Sequence, residues 1–266
     1  MVAGSAEVTV DEAVAAVEEA VDDGATEVVY DVDHAETARA AGTTLPPTRL
    51  LAIADPATAT PLLREAPLLG LDLPSRLLAW EAGEVVQVAV NDPFHLADRR
   101  GLTPGFEEVV VLDETQRGLL GVAGASQLPA EGEPGDVPEG VEILDSDDDF
   151  DTTLARTRGA LEDASVASIA EVDHAAAADE VDMELDPSTL LVFGSPQVDA
   201  PLIADQRSAA IDLPHRLLVY REDGRVRVAY DDPRYVQTRH GLTGADEQVD
   251  EVADVLAELA RTAAGG

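Results

Sequence analysis

Two periodicities alternate along this chain, one of strands and one of helices. Glu7 to Val10 reads as a short strand. Val14, Val17 and Val21 then recur at helical spacing, with Asp11 as the expected N-cap and Gly24 as the stop. Thr26 to Val32 is a β-rich run. Asp33 follows as a second cap, with Glu36 three residues on in capping-box position. Thr48 to Ala54 predicts the next strand, and Asp55-Pro56 starts a helix whose apolar face is Leu62, Leu63 and Ala66. Arg76 to Glu81 and Val85 to Val90 predict a hairpin turning at Ala82-Gly83-Glu84. Asp92-Pro93 starts a helix ending near Gly101, and a longer helix runs from about Phe106 towards Gly121.

The pattern then starts again. Asp72 to Leu102 and Asp212 to Leu242 match without a gap at an offset of 140 residues, and about half of the positions are identical. This is a duplicated folding unit. Between the copies, GASQLPAEGEPGDVPEG is rich in Pro, Gly and acid and has no periodicity. The expected division is a first domain over 1–124, a linker over 125–140 and a second domain over 141–266. The last helix, about Asp246 to Thr262, carries Val249, Val252, Val255, Leu256 and Leu259 at core spacing. The order of elements predicts an α+β fold in each copy, with helices packed on a mainly antiparallel sheet.

Composition adds habitat and removes chemistry. Asp and Glu number 54 against 17 basic residues, all of them arginine, for a formal net charge of -37. The acids are spread along the whole chain, which marks a solvated surface rather than an interaction tail. The expectation is a cytoplasmic protein of a salt-in halophile, with neither nucleic acid nor membrane as partner, since both need a basic face. The absence of cysteine excludes disulfides, thiol nucleophiles and cysteine–metal sites; the absence of lysine excludes Schiff-base catalysis and the P-loop. No apolar run reaches the length of a membrane span or a signal peptide.

Several steps of the second copy carry a family resemblance. IAEVDHAAAADEVDMELDPSTLLVFGSP and AAIDLPHRLLVYREDGRVRVAYDDPRYVQTRHGL hold, in order, Asp-His-Ala, Phe-Gly-x-Pro, Asp-Leu-Pro, and Asp-Pro before Arg-His-Gly-Leu. From about Ile169 to Leu242 the chain resembles the domain-of-unknown-function family numbered 302. The first copy resembles it more loosely, with Ala54-Asp55-Pro56 against Gly194-Ser195-Pro196 and Arg100 against His240. The resemblance implies a compact α/β domain that commonly associates in pairs, and no activity. Joined in one chain, two such copies are expected to form an intramolecular pseudo-dimer, with further homo-oligomers open.

The polar residues shared by the copies are the candidate chemistry. His34 and His174 follow capping aspartates; at a first helical position the helix dipole disfavours imidazolium and leaves a neutral base, although a plain cap accounts for Asp33 and Asp173 alone. Arg76 and Arg216 follow Asp-Leu-Pro and suit a carboxylate or phosphate, or else an internal ion pair with Asp72 or Asp212. Arg99, Arg239 and His240 close the repeated stretch and are further candidates for holding an anion, as is Ser195, which also reads as a cap before proline rather than a nucleophile elbow. His95, His215 and His240 show no partner at metal-ligand spacing, and neither a cofactor nor a metal is expected.

The leading expectation is a module that binds a small anion or a partner protein without catalysis. The alternatives are an enzyme with His174 as general base, and a purely structural role in assembly. The charge itself makes a prediction. Like charges repel over a Debye length of about 30 Å at 0.01 M salt but about 3 Å at 1 M, so dialysis to low ionic strength should loosen or unfold the protein. Circular dichroism across that range checks this, and full stability at low salt would contradict the halophile reading.

Overall fold

The repeated hairpin folds as strands in both places and sits at the centre of two sheets. In a computed structural model the chain forms two units, Met1–Pro134 and Gly135–Gly266. The structure describes residues 1–21, 26–102, 106–127 and 140–266. Gly24 and residues 128–139 of the expected linker lie outside the described residues.

The first unit runs β1 (Val2–Ala6), α1 (Val10–Val21), β2 (Glu27–Asp33), α2 (His34–Ala40), β3 (Thr48–Ala54), α3 (Pro56–Glu65), β4 (Ser75–Ala82), β5 (Val85–Val90), α4 (Pro93–Arg99), α5 (Glu107–Val122) and β6 (Ser126–Gln127). The second repeats this order: β7 (Val141–Ser146), α6 (Phe150–Asp163), β8 (Ala167–Asp173), α7 (His174–Glu180), β9 (Ser188–Gly194), α8 (Pro196–Asp205), β10 (His215–Glu222), β11 (Arg225–Asp231), α9 (Pro233–His240) and α10 (Asp246–Ala264). A 3₁₀ turn precedes the hairpin in each unit, at Pro67–Leu71 and Arg207–Ile211. The sheet orders are β2-β3-β4-β5-β1-β6 and β8-β9-β10-β11-β7. Every pairing is antiparallel, so the α+β expectation holds.

The caps explain most of the helix starts. Asp33, Asp55, Asp92, Asp173 and Asp232 each accept a backbone N–H of the helix that follows. The N-terminus differs from the sequence reading. The strand lies at Val2–Ala6 rather than Glu7–Val10, and the cap is Thr9, not Asp11. Thr9 and Glu12 form a reciprocal capping box: Glu12 N–H donates to Thr9 Oγ1, and Thr9 N–H donates to Glu12 Oε2. Local propensity misled here, because Ala3, Gly4 and Ser5 are poor strand formers that are held by partners on both sides. A Cβ on Gly4 would stand 2.4 Å from the Ser126 carbonyl oxygen, so only glycine lets β6 approach. Ser126–Gln127, at the head of the stretch read as linker, is thus a sixth strand of the first sheet.

One face of each sheet carries the helical layer. In the first unit Val14 and Val17 of α1 and Leu120 of α5 pack on Leu51, Leu77 and Val88. In the second, Leu154 and Leu161 of α6 and Leu256 and Leu259 of α10 pack on Leu191, Leu217 and Val228. Period 2 along the strands then sends Arg76, Leu78 and Trp80, and Arg216, Leu218 and Tyr220, to the opposite face. That face is buried as well, Leu78, Leu218 and Tyr220 completely. Val255 departs from its expected core place and is 39% exposed on α10.

These placements predict a contrast in stability. Leu120→Ala, which empties a fully buried site, should cost about 2–5 kcal/mol, and Val255→Ala should stay within about 0.5 kcal/mol. Urea unfolding at fixed molar salt measures both, and equal losses would refute the assignment of the helix faces.

Candidate functional site

The second unit concentrates its buried polar groups where the 3₁₀ turn, the start of β10 and the end of α9 meet. Asp212 closes the 3₁₀ turn, and its side chain is 4% exposed. A carboxylate buried that far needs charged or hydrogen-bonding partners. Arg239 Nη1 donates to both carboxylate oxygens, at 3.1 and 2.8 Å. His240 Nε2 stands 2.8 Å from Asp212 Oδ2. Both residues sit in the last turn of α9, where the partial negative charge of the helix end favours cations, and Gly241 at φ 65° ends the helix.

An ionised carboxylate only accepts, so His240 carries its proton on Nε2 and donates it to Asp212. The other nitrogen, Nδ1, then accepts from the Ser208 hydroxyl 3.0 Å away. Burial holds the imidazole below its ordinary pKa, and the hydrogen bond and charge of Asp212 offset this only in part. His240 is therefore a neutral, oriented imidazole between a carboxylate and a serine.

Arg216 approaches the same carboxylate from the sheet. The β10–β11 register that sets Leu218 against Ala229 continues to place Arg216 opposite Asp231. Its Nη2 lies 3.9 Å from Asp212 Oδ1 and 3.9 Å from Asp231 Oδ2, both beyond hydrogen-bond reach. Its Nη1 is buried and has no hydrogen-bond partner among the described residues.

The first unit builds the same centre with other side chains. Asp72 takes Arg100 Nε at 2.6 Å and Arg76 Nη2 at 3.8 Å. Arg100 stands where the second unit has His240, Leu68 where it has Ser208, and Asn91 where it has Asp231.

Among the residues singled out from the sequence, Arg216, Arg239 and His240 converge on Asp212, and Arg76 meets Asp72. Arg99 lies half-buried in the last turn of α4. His34 and His174 are buried first residues of α2 and α7, behind capping Asp33 and Asp173. The β8–β9 register sets Asp173 against Thr189 and Ala167 against Gly194. His174 and Ser195 thus lie at opposite ends of that strand pair, about 20 Å apart at about 3.3 Å per residue.

Ser195 is not the expected side-chain cap. It precedes α8, but its Oγ donates to Gln197 Oε1 at 3.3 Å, while Asp199 Oδ2 accepts the Ser195 backbone N–H at 3.2 Å. His215, for which the sequence offered no partner, finds Asp199 Oδ1 at 3.2 Å. A Cβ on Gly194 would lie 2.7 Å from Asp199 Oδ2, so glycine admits the carboxylate. The first copy has Ala54 and Ala59 at these two positions. Among the described residues no group of three His, Cys, Asp or Glu could hold a metal ion. None of the described helices is long and apolar enough to cross a membrane.

Ser208 and Asp199 were missed from sequence. A signal existed for the first: Ser208 and His240 replace Leu68 and Arg100 together, as two partners of one interaction would.

Comparison with known proteins bears on this arrangement. The sequence model of the family described as domain of unknown function DUF302 matches residues 3–119 and 143–259. A fluoride-specific ion channel, FluC 1, of Brucella suis biovar 1 (strain 1330) is 47% identical over 72 residues, which is 27% of this chain and 28% of the relative. FluC 2 of Brucella melitensis biotype 1 is likewise 47% identical over 72 residues, 27% of each chain. The chain thus spans little more than a quarter of the length of these curated relatives. An uncharacterized conserved DUF302 protein from Bacillus stearothermophilus has a solved crystal structure that aligns over 47% of this chain and 98% of its own, with 17% identity and a TM-score of 0.44.

The buried imidazole makes stability depend on pH with a defined sign. Because its folded pKa lies below the ordinary histidine value of about 6.5, the unfolded chain takes up the proton first. The contribution of a neutral His240 is complete above about pH 6.5 and falls as pH drops, by at most about 1.4 kcal/mol per unit. The stability gap between wild type and His240→Gln should therefore narrow from about pH 7.5 to about pH 5.5. Urea unfolding at constant salt measures the gap, and one independent of pH would rule out a buried neutral imidazole.

Proposed function

The chain belongs to the DUF302 family, once in each half, and on that footing we propose that its second half is a binding module for a small anion, recognised by Arg216. The observation that carries this reading is the buried Arg216 Nη1, which has no hydrogen-bond partner among the described residues. A buried donor left unmet costs about 1–3 kcal/mol, more when it is charged. An acceptor that reaches it recovers that cost, and an anion recovers more than water because the bond is charge-assisted. The two carboxylates near Arg216 stand at 3.9 Å from Nη2 and make ion pairs without hydrogen bonds, so neither meets Nη1.

The chemistry of the guanidinium selects the ligand class: a halide, or a small carboxylate or phosphate gripped by its fork. The curated relatives named as fluoride-specific ion channels place fluoride at the head of that class for testing. The first half offers a different centre, in which Arg100 already lies against Asp72 at 2.6 Å.

The test is a titration of the full chain with fluoride, formate, acetate and inorganic phosphate at constant molar ionic strength, read by thermal shift and calorimetry. At least one anion should raise the melting temperature saturably, equivalent to about 2.7 kcal/mol at a hundredfold excess over Kd. Arg216→Gln should remove the effect. A protein that responds to none of the four, or a shift that survives Arg216→Gln, rejects the reading.

A further inference from the structure

We propose that Ser208 of the second unit is an activated nucleophile, and that Ser208, His240 and Asp212 form an acyl-transfer relay acting on a small ester. Three observations within that unit support it. Ser208 Oγ lies 3.0 Å from His240 Nδ1, and His240 Nε2 lies 2.8 Å from Asp212 Oδ2, so the three groups form one continuous chain of hydrogen bonds. The bond to Asp212 fixes the tautomer, which leaves the Nδ1 lone pair for the serine proton; the ring is used in the opposite sense from the common Ser-His-Asp relay, with the same logic. Ser208 is half-buried at the end of this chain, and the side chains of His240 and Asp212 behind it are 3% and 4% exposed.

The duplication argues that the fold does not need this arrangement. The first unit closes the same corner with Leu68, Arg100 and Asp72, a direct ion pair at 2.6 Å with no serine. The imidazole with a hydroxyl on its far nitrogen is thus particular to the second unit, and the first closes the corner without it. Arg207 precedes Ser208 in the same 3₁₀ turn. It forms no ion pair among the described residues, and its Nη1 is buried without a hydrogen-bond partner.

The chemistry balances with water as the only co-reactant. Ser208 Oγ attacks the ester carbonyl carbon as its proton passes to His240 Nδ1, and Asp212 stabilises the imidazolium. The bond from that carbon to the alcohol oxygen breaks, and the alcohol departs with the proton from Nδ1. Water then attacks the acyl-serine, His240 accepts its proton and returns one to Ser208 Oγ, and a carboxylic acid leaves.

The experiment treats the full chain in molar salt with a fluorophosphonate probe and, separately, with 4-nitrophenyl acetate. A single phosphonyl adduct should form, mapped by peptide mass spectrometry to Ser208, and 4-nitrophenol should be released above the rate in buffer. Ser208→Ala should abolish the adduct, and His240→Gln should slow its formation by about 10²–10⁴-fold, the usual worth of a positioned base. Melting curves of both variants report their folding, and Ser195→Ala, which alters a serine outside the relay, should label like wild type. Absence of an adduct on wild type, or an adduct that persists in Ser208→Ala, overturns the proposal. Anion-induced thermal shifts in Ser208→Ala report on Arg216 independently, so either idea can fail without the other.

Discussion

A carboxylate buried at the foot of the central hairpin is the constraint on which each unit turns. Asp72 and Asp212 are 2% and 5% exposed. A bare charge in that position would be prohibitive, because desolvation is repaid only when partners surround it closely. The fold supplies them from two directions. The first strand of the hairpin brings an arginine four residues on, and the end of the following helix brings Arg100 in the first unit and Arg239, with the neutral imidazole of His240, in the second. The 3₁₀ turn, the hairpin and the helix that starts at Asp-Pro are held together by this requirement as well as by apolar packing. The stretch that the chain repeats best is therefore the stretch that brings these three elements to one carboxylate.

The two copies meet that constraint with different chemistry, and the difference is informative. In the first, Arg100 lies against Asp72 as a fixed cation that cannot lose its proton. In the second, His240 takes the place, stays neutral through burial, and needs a partner for its other nitrogen, which Ser208 provides. Two exchanged side chains add to the Arg239 ion pair a group able to accept and return a proton. A comparable divergence occurs at Gly194, where Asp199 and His215 occupy a corner that holds Ala59 and Ser75 in the first copy. In each case the second unit carries the group able to exchange a proton, and that is where function is sought.

Much of the frame was legible because caps, prolines and apolar periodicity are local signals. Asp33, Asp55 and Asp92 marked helix starts, since a short acid before a helix can satisfy its free N–H groups. Reading failed where partners decide. Val2–Ala6 has little strand propensity, and β5 and β6 make it a strand by pairing on both sides. Val255 kept helical spacing but fell outside the stripe that α10 buries. Ser195 looked like a cap from its neighbours, yet its Oγ bonds the Gln197 side chain while the Val198 N–H donates to the Ser195 carbonyl oxygen.

The sequence by itself determined the duplication, the α+β class, the order of elements and the set of polar residues worth suspecting. All of these rest on spacing and propensity, which act over a few residues. Tertiary structure alone decided which suspects meet. Arg216, Arg239 and His240 come together at Asp212 because a 3₁₀ turn, a strand and a helix end converge across about thirty residues of chain, while antiparallel register carries His174 and Ser195 to opposite ends of a strand pair. The role of Ser208 depends on a single 3.0 Å contact to a residue 32 positions away. No local pattern encodes that contact, because it exists only once the buried carboxylate has drawn its partners in.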